Sequence, residues 1–468
     1  MLVPVVYLAC EDDGGSGQPG VFDGGTTGFD APTSDAPVVP ADTGPAPNPV
    51  TVNVVKNAQP EAGVTIVFSD AAGTVIDTAT TDATGRVVRM LPAGSQVTAL
   101  LGSAARAQIL TVVGVEPGDV LTAVDASELD GLVPTATITA IPAGAPAATL
   151  GYSSAAGACN GGGFQAAPNT VNLYDDCVRD RKFPLLVLAQ GNAGTVAFTF
   201  KKANLAAADG GAVGVDMAGG TWTTTTTTET VAITNLPTTL TRGRLIYGEV
   251  ANGVNYFAVN NFDPSNPGGT PPVNFEGHPG YPDFVQTEAT VGKNSSGGVA
   301  YSTIATRRAA SPNGGTSSHD LSQLLPFIDS ATLDSTTPAR AMVTWTTAGA
   351  VAADGAFVHV RWSTTRDGGN VQQSTWTVVA PPTATSVKLP ILPASAVAWA
   401  PASDSSFYSV PVVLLVESSV LQGYAQLRAS AGALPPTKAV INDGYAPLAP
   451  PLPVDGTLRM TAFTDDGD

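Results

Sequence analysis

From Val50 onward, apolar and polar residues alternate with the period of two that a half-buried β-strand requires. VTVNVVK, GVTIVFSD, TVIDTAT, RVVRML, QVTALL, AQILTVV and VLTAVD follow one another with Pro, Gly and Asp turn signals between them. Their spacing, about 8 to 14 residues, is the cadence of a β-sandwich. The pattern continues through TATITAI, AATLGYS, TVNLYDD, FPLLVLAQ, TVAFTFKK, ETVAITNL, GRLIYGEV and VNYFAVNN, where Ala251-Asn252-Gly253 predicts a hairpin. It resumes in RAMVTWTT, AFVHVRWS, STWTVVAP, SVKLPIL, YSVPVVLLVES, KAVIND and LRMTAFT, with a turn at Asp367-Gly368-Gly369-Asn370. LSQLLPFI, capped by Ser318 or Asp320, reads as a single short helix. The expected fold class is all-β, tandem β-sandwich domains: a sandwich over 50–130, a β-rich domain with a long loop over 131–330 and a C-terminal sandwich over 331–468.

The chain before Val50 has a different pattern. Residues 1–10 are an apolar run closing on Cys10, and 11–49 hold seven acidic residues, no basic residue and many Gly and Pro. That composition offers too little apolar surface to offset the entropy of ordering, so a disordered acidic tether is expected. As a flexible coil it would reach about 35 Å. The apolar run is too short to span a bilayer as a helix. Leu8, Ala9 and Cys10, with Tyr7 in the usual Leu position, resemble the end of a bacterial lipoprotein signal peptide. That resemblance implies lipidation at Cys10 and a chain held at the cell envelope, in the outer membrane or at the cell surface, with secretion as the alternative.

Two turns in the first block carry more information than its strands. In TTDATGR, Asp82 can cap a tight turn and Gly85 can supply a positive φ; in LPAGSQVT, Pro92 and Gly94 fix a second reversal. The T-D-x-x-G and L-P-x-G turns at this separation resemble the carboxypeptidase regulatory-like family, a small transthyretin-like sandwich, over Val50 to about Asp125. The resemblance covers about a sixth of the chain and implies a spacer module without catalytic residues. Residues 131–468 are similar in composition to predicted surface lipoproteins of Gram-negative bacteria.

Charge and cysteine usage narrow the partners and the compartment. The net charge is −18, from 39 acidic and 21 basic residues, and neighbouring basic residues such as Lys201-Lys202 and Arg307-Arg308 occur only as pairs. An acidic chain without a basic cluster repels phosphate backbones, which argues against nucleic acid as a partner. Of three cysteines, Cys10 is assigned to the anchor, and Cys159 with Cys177 are left as a disulfide couple or as two free buried thiols. A disulfide would imply an oxidising compartment.

Candidate chemistry is sparse. The chain has three histidines and none of the nucleophile-elbow GxSxG, HExxH, CxxC or P-loop signatures. Ser317-Ser318-His319-Asp320 places hydrolase residue types side by side, but sequence neighbours rarely converge in space, and a polar cap is the simpler reading. His359, between Val358 and Val360, reads as one face of a strand. The segment 261–284, NFDPSNPGGTPPVNFEGHPGYPDF, breaks the strand cadence for more than twenty residues, and such long loops are often functional. Asp263, Phe275, Glu276, His278, Tyr281 and Asp283 make it the candidate ligand loop; its hard donors could hold a divalent ion, or it could be an ordinary surface loop. Trp345, Trp362, Trp376 and Trp399 gather in the last block, where they could stack on sugars or fill a core.

The function expected from these observations is non-enzymatic. It is a binding or structural role for an envelope-anchored lipoprotein, with the membrane as one partner, polysaccharide or surface protein as another, and no cofactor. The alternatives from other classes are a secreted hydrolase carrying these sandwiches as accessories and a self-assembling surface-layer subunit.

Overall fold

The alternating segments pair as facing antiparallel sheets, and their two-residue period decides which side chains become core. The structure, a computed structural model, describes residues 48–56, 59–125, 134–174, 177–179, 181–205, 213–237, 240–264, 272–295, 298–365, 371–430 and 456–464. The signal-like segment with Cys10, the tether up to residue 47, the turn at 367–370 and KAVIND lie outside the described residues.

The chain is a tandem array of β-sandwich domains. In the first, Val50–Lys56 lies between Arg86–Arg89 and the parallel strand Val120–Asp125, facing Val75–Thr80, Thr65–Ser69, Ser95–Ser103 and Arg106–Val115. Its two predicted turns form as expected. Asp82 Oδ1 accepts from the backbone N–H groups of Thr84 (2.8 Å) and Arg86 (3.1 Å). Gly85 has φ +70°, and a Cβ there would come within 2.5 Å of the Val54 carbonyl oxygen, so both conformation and space require glycine. Gly94 likewise has φ +78°.

The second sandwich sets Cys159–Phe164, Gly151–Ala156, Lys182–Gly191 and Gly194–Asn204 against Asn169–Asn172, Thr135–Ala140 and Val213–Asp216. Cys159 and Cys177 are joined by a disulfide inside this core. The third sets Val254–Phe262, Arg242–Ala251, Phe284–Ser295 and Gly298–Ala309 against Val273–Gly277, Thr227–Thr234 and Gly315–Asp320. The fourth sets Thr457–Thr464, Val412–Ser418, Gly355–Thr365 and Val371–Ala380 against Ile328–Asp334, Met342–Thr347 and Ser386–Lys388.

Three of the four share one sheet. Among the described residues a 13-stranded sheet runs from Val254–Phe262 through the large layers of the third, fourth and first sandwiches to Val75–Thr80. Gly298–Ala309 pairs with Thr457–Thr464, and Val371–Ala380 pairs in parallel with Arg106–Val115. At that parallel seam the Trp376 indole N–H donates to Thr111 Oγ1 (2.8 Å) and the Ala107 N–H to Ser374 Oγ (3.1 Å). The shared sheet is buried on both faces where VVLLV passes through it. Val412, Leu414 and Val416 join the core under Val50–Lys56, and Val413 and Leu415 join the core of the fourth sandwich. Strands buried on both faces read as continuous apolar runs instead of alternating ones.

Helix among the described residues departs from expectation. LSQLLPFI holds only the three-residue 3-10 turn Leu321–Gln323, capped by Asp320, whose carboxylate accepts from Ser322 N–H (3.0 Å). The α-helix is Tyr424–Ser430 instead. It buries Leu427 in the first core, and Arg428 grips Asp119 through two nitrogens (2.7 and 2.9 Å). Its amphipathic run is a single turn or two, too short for a periodic signal in the sequence. No helix of the described residues is long and apolar enough to cross a membrane.

Trp345, Trp362 and Trp376 are buried in the core of the fourth sandwich, with Trp399 packed against it. Core filling, and not an exposed stacking platform, is therefore what these side chains do.

Candidate functional site

The six residues of the expected ligand loop are divided between two places. The segment 261–284 is partly built into sheet: Val273–Gly277 pairs with Thr227–Thr234, Thr227 opposite Gly277 and Val231 opposite Val273. Asp263 lies at the Arg242 end of the third sandwich, whereas Phe275, His278, Tyr281 and Asp283 lie toward the Glu249 end of the same strand. Glu276 is exposed on the strand between Phe275 and Gly277. Among the described residues no group of three His, Cys, Asp or Glu is placed to hold a metal ion.

The Glu249 end is a buried polar cluster where the second and third sandwiches meet. Glu249 is 0% and His278 3% exposed. Glu249 Oε1 accepts from the His278 backbone N–H (2.6 Å) and the Tyr247 hydroxyl (3.1 Å), while Oε2 lies 2.6 Å from His278 Nδ1. A buried carboxylate requires this degree of satisfaction, because desolvation costs several kcal/mol per ion otherwise. Glu229 pairs with Arg308, and burial raises its carboxyl above the usual range despite that partner. Burial, followed by the Glu249 charge, raises the phenols of Tyr247, Tyr256 and Tyr281.

Rings from both sandwiches surround His278. Phe198, on Gly194–Asn204, meets it edge-on at 5.0 Å, and Tyr256 and Tyr281 at 5.8 and 6.5 Å. Among the described residues, His278 Nε2 and the Tyr281 hydroxyl are buried without a hydrogen-bond partner. The segment FPLLVLA explains how the second sandwich reaches this site. Leu185 and Val187 fill its own core, while Leu186 and Leu188 turn outward with Phe198 and Phe200 against Ala251, Tyr256 and Tyr281. At the rim, Lys202 Nζ donates to Asp283 (2.7 Å) across the junction, and the Asn252 N–H donates to the same carboxylate (3.0 Å). Burial alone would raise the Asp283 carboxyl, but the hydrogen bonds from Lys202 and Asn252 hold it low. A cleft of about 240 Å³ opens beside the cluster between Glu229, Tyr247, His278 and the prolines 279, 282 and 312.

The other two histidines are internal. His319 Nε2 lies 3.1 Å from Thr287 Oγ1 and His359 Nδ1 lies 2.9 Å from Thr377 Oγ1, both imidazoles being buried. Burial pushes His319 down to about 4 and His359 down to about 3. Ser317, Ser318 and His319 alternate along Gly315–Asp320, so Ser318 turns away from its histidine neighbour.

The Arg242 end was not visible as a site from basic neighbours. Lys201-Lys202 and Arg307-Arg308 are adjacent on strands and therefore point to opposite faces, whereas Arg242 and Arg244, two apart, point to the same face. The R-x-R spacing within an alternating strand was the available signal. A cleft of about 370 Å³ lies there.

No family model and no curated protein matches the chain. Among solved structures, it is similar to the Bacillus anthracis TIE protein at 10% identity and TM-score 0.16, over 59% of this chain and 50% of that one. It thus spans about half the length of that relative. A streptococcal ancillary pilin matches at 7% identity and TM-score 0.15, over 59% of this chain and 99% of that one. A putative adhesin from Bacteroides ovatus matches at 13% identity and TM-score 0.10, over 56% of this chain and 72% of that one. At this level of superposition no residue correspondence follows.

Proposed function

We propose that the protein is a non-enzymatic, envelope-anchored surface protein whose tandem sandwiches serve a binding or structural role. The observation that carries this reading is the 13-stranded sheet, which joins three sandwiches through backbone hydrogen bonds into one extended frame. Each histidine is buried, and its imidazole is hydrogen-bonded to a carboxylate or to a threonine hydroxyl. General acid–base work needs a group within reach of substrate, so these environments favour scaffolding over catalysis. The disulfide agrees with an exported location. In this reading the first sandwich acts as a spacer module, as its resemblance implies, and Cys10 carries the lipid. Replacing Cys10 by Ser should move the protein from the membrane fraction to the soluble exported fraction; retention in the membrane would remove the anchor.

One observation favours a second reading, self-assembly. Val254–Phe262 is the last strand of the shared sheet among the described residues, and its sequence VNYFAVNNF has neither charge nor proline. Edges lacking such guards are templates for strand pairing. Sedimentation that shows a single monomeric species at all concentrations would remove this reading.

A further inference from the structure

Thr457–Thr464 joins the third sandwich to the fourth, and it comes later in the chain than every strand it joins. On one side it pairs with Gly298–Ala309, from Val299 opposite Thr464 to Thr306 opposite Thr457. On the other it pairs with Val412–Ser418, from Val413 opposite Phe463 to Ser418 opposite Leu458. Among the described residues no other ladder connects the third sandwich to the rest of the shared sheet. The two faces of the strand are divided as well. Leu458, Met460 and Ala462 lie in the apolar cluster that holds Val52, Val54 and Leu121 of the first sandwich, while Phe463 lies in the core of the fourth.

The slot between the two neighbouring strands is shaped for this occupant. A Cβ on Gly298 would come within 2.5 Å of the Thr464 carbonyl oxygen and 2.9 Å of the Phe463 ring, so glycine there lets the strand seat fully. The Thr461 hydroxyl donates to the Tyr301 carbonyl (3.0 Å), and Arg459 donates to Glu417 (2.6 Å) and to the Gln323 carbonyl (3.0 Å). Without the strand, Gly298–Ala309 and Val412–Ser418 would each present a bare ladder, and the first cluster would lack part of a wall.

The contacts also differ in how far they reach along the chain. In the second sandwich Lys182–Gly191 and Gly194–Asn204 form a hairpin, whereas the closing contacts join Thr306 to Thr457 and bring Val52 and Met460 into one cluster. Loop-closure entropy opposes such distant pairing until both partners are in place. We propose that Thr457–Thr464 is a closing strand. Until it enters the slot, the third sandwich is separate from the first and fourth and the first is incomplete; its entry makes the three one body. The first sandwich is thus finished from the far end of the chain. The proposal depends on neither the lipid anchor nor a binding role, so it can fail while the proposed function stands.

The test is refolding of the full chain with its disulfide intact, pulse-labelled by hydrogen exchange. Amides of 182–204 should gain protection in an earlier phase, and those of 50–56 and 457–464 together in a later one. Phe463→Ala probes the coupling in the native state, because this ring points away from the first cluster. It should speed exchange about tenfold or more at 457–464 and equally at 50–56, leaving 182–204 unchanged. If Phe463→Ala fails to fold, Phe463→Leu carries the test with a smaller change of the same pattern. The proposal is overturned if 50–56 is protected before 457–464, if 182–204 shares their phase, or if the folded variant speeds exchange at 457–464 but not at 50–56.

Discussion

Arg106–Val115 ends the first sandwich by pairing with Val371–Ala380, whereas the second meets the third, among the described residues, through side chains on the outward face of Lys182–Gly191 and Gly194–Asn204. The first kind of joint continues a hydrogen-bond ladder and a core: residues from 50 to 123 and from 357 to 462 fill one apolar cluster. The second kind is made of rings that meet across it and the Lys202–Asp283 bridge, while the second sandwich keeps a private core closed by a disulfide. A shared ladder makes separate sequence blocks one cooperative body; a side-chain junction leaves two bodies that can loosen independently. Two unfolding transitions are therefore expected, one for the second sandwich and one for the shared sheet.

The largest effect should come from Trp376→Ala. The indole is 0% exposed and donates to Thr111 across the parallel seam, so about 3–5 kcal/mol should be lost from the shared-sheet transition, as for other buried aromatic truncations. Denaturant unfolding followed by hydrogen exchange should show the first and fourth sandwiches weakened together. If the fourth alone weakens, the ladder does not couple them.

Reduction of Cys159–Cys177 should act on the other body. The bridge closes a separation of 18 residues, and its loss should cost about 3 kcal/mol in the second sandwich. Limited proteolysis under reducing conditions should cut within 134–223 first; equal loss across the chain would contradict the separation.

Acid should discriminate in the opposite sense, because 134–223 contains no histidine while His319 and His359 lie in the shared body. Their folded values of about 4 and about 3 lie below the unfolded value of about 6.5. The unfolded chain thus takes up protons first as pH falls. Stability is intact above about 6.5 and declines toward about 4 by about 1.4 kcal/mol per pH unit for each imidazole. Urea midpoints measured from neutral pH down to about 5 should fall for the shared sheet, and a His359→Leu variant should show a shallower fall. An unchanged slope in that variant would sink the assignment.

The smallest effect belongs to Lys202→Ala. Both partners of the rim bridge are about one third exposed, so about 0.2–1 kcal/mol is expected. Its informative readout is faster exchange of the Tyr281 and Asp283 amides with the melting of either body nearly unchanged.

Much of the architecture was legible in the sequence for local reasons. Asp82 and Gly85 made their turn because an Asx cap and a positive φ act within five residues, and Asn252-Gly253 turned its hairpin with φ of 52° and 75°. The candidate site was less legible. His278 was singled out, but its partner Glu249 lies 29 residues away on a strand whose register sets the contact. Arg242 and Arg244 looked unremarkable until pairing set Gly292 and Tyr301 beside them.

The sequence by itself determined the all-β class, the pairing of Cys159 with Cys177 as one of two open readings, and the positions of the tight turns. Each follows from period, composition or residues a few positions apart. Only the tertiary structure decided that three sandwiches share one sheet, that the tryptophans fill a core, and that the polar residues of 261–284 divide between two ends of a strand. Strand partners hundreds of residues apart are chosen by hydrogen-bond register and by burial on both faces, and neither leaves a periodic mark along the chain.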